Sequence, residues 1–265
     1  MAIILGILQG ITEWLPISSS GHLAIIQHYF DEEPPILYDI ILHLGSLVVI
    51  LYIMRQEIIE LIGAIPTTFK NLRDNVELKN NERIVMMIII ASVPTALLGL
   101  FFEGELINKF YDEMYLVGIC LIFTGAIMWS CKNYKSSMHT NDFSYKNTFY
   151  VGLIQGLSIL PGISRSGTTI ALSKILGLDR MRAARFSFLL FIPAILGATL
   201  LKLGEAERTL DEVGSSSLIL GFCFSIISSF LSIKLLLSLI EKQQFHYFSP
   251  YCFLVGFILI FESLI

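Results

Sequence analysis

Charge is what this chain has least of. Only 15% of its 265 residues are Asp, Glu, Lys or Arg, the formal net charge is −4 and the pI is near 5.7. That balance lacks the basic patch on which nucleic-acid binding depends, so nucleic acid is excluded as a partner. Cysteine is also scarce. Cys120, Cys131, Cys223 and Cys252 lie in or beside apolar runs without CxxC spacing, which suits small core hydrophobes and not a disulfide framework or metal site. The first eight residues hold no Lys or Arg, so the N-terminus lacks the basic region of a signal peptide and is expected to belong to the fold.

What is abundant is apolar surface. Hydrophobic residues make up 54% of the chain and the mean hydropathy is +0.72, more than a soluble core hides. Apolar stretches near 36–54, 83–103, 113–131, 185–203, 216–239 and 249–265 have roughly the 17 to 24 residues that a spanning helix needs. The expectation is an all-α polytopic membrane protein: six transmembrane helices in one integral domain over residues 1–265, because embedded helices must pack on one another.

Two further segments do not fit that pattern. GILQGITEWLPISSSGH, Gly6 to His22, and GLIQGLSILPGISRSGTT, Gly152 to Thr169, are versions of each other. Gly6, Gln9, Gly10, Ile17, Ser18, Ser20 and Gly21 recur 146 positions later, as Gln155 follows Gln9. Pro16 in one, and Pro161 with Gly162 in the other, break a helix halfway along. Broken backbone at membrane depth is tolerated only when buried in protein or lining a wet cavity. Residues 1–29 and 147–176 are therefore expected as re-entrant helix-loop-helix hairpins, in a first repeat of about 1–131 and a second of about 147–265.

This segmentation sorts the charges. Loops at 55–83, 132–146, 177–185 and 240–248 receive most Lys and Arg, including Arg55, Lys70, Arg73, Lys132, Lys135, Arg180 and Lys242. The other side keeps Lys109, Lys202 and Arg208 among the acids Asp31, Glu32, Glu33, Glu103, Glu105, Asp112, Glu113, Glu205, Glu207, Asp211 and Glu212. By the positive-inside rule the first side is cytoplasmic. The hairpins then enter from opposite faces, an inverted-topology repeat with paired broken helices near the midplane.

The copies differ where chemistry needs them to. Glu13 and His22 belong only to the first, Arg165 only to the second. A carboxylate inside an apolar hairpin costs several kcal/mol unless it is paired or bound to a cation. Glu13 reads either as a neutral structural acid or as an oxygen ligand for Mg²⁺ or Ca²⁺, with Gln9 one helical turn earlier as a second ligand. Arg165, between two serines, suits bidentate phosphate binding or a structural ion pair with Glu13 or Asp39. Ser18, Ser19, Ser20, Ser164, Ser166, Thr168 and Thr169 each fit simple helix capping. Together with Gly21, Gly162 and Gly167 they aim two helix N-termini at one region, which makes an anion site. His22 reads as a general acid, a nucleophile or a packing residue. Asp39 and His43, spaced i,i+4, are expected around the same cavity.

QGITEWLPISSSGH resembles the (E/Q)xxxE-containing first motif, and PGISRSGTT the PGxSRSxxT second motif, of the undecaprenyl-diphosphate phosphatase family, which confers bacitracin resistance. The resemblance implies hydrolysis of a polyprenyl diphosphate to the monophosphate, recycling the lipid carrier of cell-envelope synthesis, with a divalent cation and a site on the outer face of the cell membrane. It places Gln9 and Glu13 on the (E/Q)xxxE pair, Ser19 and His22 on catalytic positions, and Ser164, Arg165 and Thr169 on the second motif. Gln9 removes one charge from the glutamate pair of other members, and archaeal members make the isoprenoid undecaprenyl or dolichyl-like. On this reading Glu13, Ser19, His22 and Arg165 are catalytic, and the attacker is Ser19, His22 or water. Ser18, Ser20, Gly21, Gly162, Ser164, Ser166, Gly167 and Thr169 join Arg165 on the diphosphate. The partners are the lipid, the membrane and, as a homodimer, a second copy. A secondary transporter or lipid-phosphate flippase is the rival, since broken-helix inverted repeats also build transporters.

Overall fold

The computed structural model describes residues 1–264 except 32–33, 103, 105–106, 108, 111–112 and 135–136. Glu32, Glu33, Glu103, Glu105, Asp112 and Lys135, which enter the charge sorting, thus lie outside the described residues. The described chain is helical: α1 (Ala2–Trp14), α2 (Ser19–Tyr29), α3 (Ile36–Ile53), α4 (Arg55–Arg73), α5 (Asn80–Phe102), α6 (Met114–Ser130), α7 (Tyr145–Leu157), α8 (Arg165–Ile175), α9 (Arg180–Lys202), α10 (Ala206–Val213), α11 (Ser215–Glu241) and α12 (Ser249–Glu262). Six of these, α3, α5, α6, α9, α11 and α12, are long and apolar enough to cross a membrane, alone or with the short turns that continue them. Each falls on an apolar stretch expected from the sequence.

The breaks occur where proline and glycine require them. Pro16 lies between α1 and α2, and Pro161 with Gly162 between α7 and α8. Two segments expected as loops are helical. α4 occupies most of 55–83, burying Leu61 and Thr68 while Ile59, Ile62 and Phe69 face outward. Its charges are interleaved with apolar residues at helical spacing, so counting charges alone misread it. α10 likewise forms a short helix among the acids after α9.

Small residues set the closest helix contacts. A Cβ on Gly6 would lie 2.3 Å from the Gly221 carbonyl oxygen, which seats α1 against α11. A Cβ on Gly152, the repeat partner of Gly6, would lie 2.3 Å from the Ala91 carbonyl oxygen, which seats α7 against α5. Each short helix therefore packs on a long helix from the other half of the chain. Between them Trp14 is fully buried, with edge-to-face contacts to Phe188 at 5.2 Å and Phe191 at 5.6 Å on α9. Cys120, Cys131 and Cys252 are buried as expected, whereas Cys223 is exposed.

Candidate active site

The two breaks meet. Ser18, at the unusual φ of 71°, turns its Oγ to accept from the Gly21 N–H of its own helix start at 3.2 Å and from the Gly162 N–H of the other break at 3.0 Å. A left-handed serine costs about 1–3 kcal/mol, offset here by two buried bonds to one oxygen. Gly162, at φ 99°, has no room for a side chain, since a Cβ there would lie 2.5 Å from the Val117 carbonyl oxygen. Thr124 of α6 clamps the second break, its Oγ1 donating to the Gly162 carbonyl at 2.9 Å and accepting from the Ser164 N–H at 3.0 Å. Ser164 then caps α8 by accepting from the Gly167 N–H at 3.1 Å. Ser166 Oγ reaches the carbonyls of Glu13 and Trp14 at 3.4 Å, closing the C-terminal end of α1.

This crossing brings the buried charges together. Glu13 Oε1 accepts from the Arg165 guanidinium at 2.6 Å. Glu13 Oε2 accepts from Ser19 Oγ at 2.6 Å and from the Gln9 amide at 2.9 Å, and His43 Nε2 lies 3.2 Å away. Arg165 also rests its guanidinium 4.1 Å from the Phe191 ring centroid, a cation–π contact that holds its plane in place. The acid and the serine come from one copy of the repeat and the arginine from the other.

Above this cluster opens a cavity of about 640 Å³. Glu13, Ser18, Ser19, Ser20, Asp39, His43, Gln155, Ser164 and Arg165 form its polar end, and Ile36, Leu100, Ile107, Ile195, Leu200 and Leu201 give it a largely apolar wall. Sequence reasoning missed Gln155 as a wall residue, although it is the repeat partner of Gln9. Its amide nitrogen reaches Thr95 Oγ1 and the Leu190 carbonyl, both at 3.3 Å. Asp39 is engaged by the Gln27 amide at 2.8 Å.

Other expected site residues lie behind the wall. His22 donates from Nδ1 to the Ser18 carbonyl at 2.8 Å, which leaves Nε2 to accept from the Tyr251 hydroxyl at 2.7 Å. Both ring nitrogens are thereby used, away from the cavity lining. Thr169 bonds back to the Arg165 carbonyl at 2.7 Å and to Ser187 Oγ at 2.6 Å. Gly21, Gly162, Ser166 and Gly167 shape the crossing without lining the cavity.

Comparison with known proteins places the chain in a family. The family model "Bacitracin resistance protein BacA" matches residues 2–258. The chain belongs to this family. Relatives named undecaprenyl-diphosphatase span the BacA-family chain nearly end to end. That of Methanobrevibacter smithii is 38% identical, covering 99% of this chain and 97% of its own. That of Methanosphaera stadtmanae is 39% identical, covering 100% and 98%. That of Carboxydothermus hydrogenoformans is 39% identical, covering 96% and 94%.

Of the two expected cation ligands in this BacA-family chain, Glu13 lines the cavity and Gln9 does not. Gln9 is fully buried and absent from the cavity lining, its Oε1 sealed without a partner. Both Glu13 oxygens already accept from donors, one of them a cation. Among the described residues no cluster of three His, Cys, Asp or Glu could hold a metal by itself, and Mg²⁺ is usually held by one or two carboxylates with waters and substrate phosphates, so Glu13 would be the protein's ligand.

Proposed function

We propose that this chain hydrolyses undecaprenyl diphosphate to undecaprenyl phosphate and inorganic phosphate, recycling the lipid carrier of cell-envelope synthesis and so giving bacitracin resistance. The observation that carries the assignment is the Arg165–Glu13–Ser19 cluster, with both contacts at 2.6 Å, in a cavity with a largely apolar wall. Phosphoryl transfer asks for positioning and charge stabilisation more than for covalent chemistry. Arg165 and the backbone N–H groups opening α2 and α8 neutralise the diphosphate. Glu13 orients Arg165 and Ser19 at once. Ser19 Oγ attacks the terminal phosphorus, the lipid monophosphate leaves, and water releases phosphate from the serine. The prenyl tail follows the apolar wall between α5 and α9 into the bilayer.

In this proposal α1–α2 and α7–α8 are re-entrant hairpins of an inverted repeat forming one integral domain, with repeats of about 1–131 and 147–265. The reciprocal packing of Gly6 on α11 and Gly152 on α5 supports it. The site faces outward, because the cavity runs towards Ile36, Gly104 and Lys202, at helix ends on the acid-rich side. A Mg²⁺ or Ca²⁺ ion on the diphosphate would be held by Glu13 and would supply further charge neutralisation. His22 braces the turn that presents Ser19. A homodimer is kept in the proposal and is read by the mass of the protein in nanodiscs.

The test is phosphate release from undecaprenyl diphosphate by purified protein. Wild type releases phosphate, and Arg165→Ala and Glu13→Ala lower kcat about 10²–10³-fold, as loss of a charge-stabilising donor does. Undiminished release by both variants refutes the assigned site.

A further inference from the structure

The sequence offers His22 as the histidine of the first motif, yet the ring that faces the reacting serine is His43, from a different helix. Its Nδ1 lies 2.7 Å from the Asp39 carbonyl oxygen. A carbonyl can only accept, so Nδ1 carries the proton and the lone pair of the neutral ring sits on Nε2. That nitrogen looks into the cavity. It lies 3.4 Å from Ser19 Oγ and 3.2 Å from Glu13 Oε2, and the ring is one of the cavity-lining groups. Ser19 is the neutral hydroxyl that can donate to it.

Three groups near Ser19 could take its proton, and geometry separates them. His22 has both nitrogens committed, to the Ser18 carbonyl and the Tyr251 hydroxyl. Glu13 has its oxygens committed to Arg165, Gln9 and Ser19. A proton on Oε2 would face the Gln9 amide donor, and loss of the carboxylate charge would leave Arg165 buried without its counter-ion. In its neutral form His43 keeps the one lone pair near Oγ that no other donor engages, and Glu13 Oε2, 3.2 Å from Nε2, accepts from the ring once it has taken the proton.

We propose that His43 is the general acid–base of this chain, relaying the Ser19 proton through Nε2 while the Asp39 carbonyl holds the ring. The proposal rests on Ser19 as nucleophile. In the first half-reaction the Ser19 O–H bond breaks and its proton passes to Nε2. The Oγ–P bond forms, the bridging P–O bond breaks, and the proton passes from Nε2 to the departing lipid monophosphate. In the second half-reaction Nε2 takes a proton from water as its oxygen attacks the phosphoserine. The Oγ–P bond breaks, and that proton returns to Ser19. No oxidant or further reactant is consumed.

The experiment uses full-length protein in detergent with undecaprenyl diphosphate, for wild type, Ser19→Ala, His43→Ala and His43→Asn. Asn keeps a donor for the Asp39 carbonyl and has no proton relay, so it separates holding the helix from moving a proton. Thermal melting checks that each variant folds, and His43→Gln replaces any that does not. Both His43 variants are expected to lose about 10²–10⁴-fold in kcat, the usual share of acid–base catalysis, with KM within a few-fold. Added imidazole is expected to restore the Ala variant at least about tenfold, by supplying the missing base, and to leave Asn unchanged. Near-wild-type kcat in His43→Asn, or no rescue of a folded His43→Ala, overturns the proposal while loss of activity in Ser19→Ala leaves the nucleophile standing. An active Ser19→Ala overturns the nucleophile and this proposal with it.

Discussion

Glu13 and Arg165 were legible as residues because a buried charge stands out in an apolar segment and must find a partner. The sequence allowed them to be an ion pair or ligands of separate groups, and their 2.6 Å contact makes them a pair. His43 was expected around the cavity but not against Ser19, and Tyr251 and Thr124 were not legible as neighbours of the breaks at all, because each arrives from another helix. Thr124 is the most informative of the three, since one hydroxyl satisfies both a carbonyl and an N–H of the second break. Thr124→Val keeps the shape and leaves both groups unpaired. Each buried unsatisfied group costs about 1–3 kcal/mol, so the variant should melt measurably lower in a thermal-unfolding scan and release phosphate more slowly.

Six helices could be read from the sequence because the bilayer imposes a length on any apolar run that crosses it. α4 and α10 were hidden, since neither is apolar enough for that rule, and α4 announces itself only through the periodic spacing of its exposed Ile59, Ile62 and Phe69. Partner choice was hidden as well. The repeated glycines mark close approach, but only the fold shows that Gly6 meets Gly221 and Gly152 meets Ala91. Gly6→Val and Gly152→Val should each destabilise the bundle by about 1–3 kcal/mol or more through overpacking. Gly63→Val, where nothing lies within 4 Å of the added Cβ, should cost less than either. Melting temperatures of the three variants side by side check this order.

For the molecule as a whole, the duplication is visible in the sequence and its consequence is visible only in the fold. Each half lends a short helix to a long helix of the other, so the two breaks cross and the half-sites become one. The two segments differ in what they bring to the crossing. Ser18 and Ser164 keep the capping role in both, while Glu13 and Arg165, each present once, complete a single charge centre. The cavity joins that centre to a largely apolar wall, and in the proposed reaction the lipid tail follows that wall while the phosphates meet the charged end. The most direct measurement is a rapid acid quench of turnover with undecaprenyl diphosphate labelled in its terminal phosphate, followed by peptide mapping. The account predicts transient label on Ser19, absent in Ser19→Ala together with phosphate release. Full release without label on Ser19, or turnover by Ser19→Ala, would contradict it.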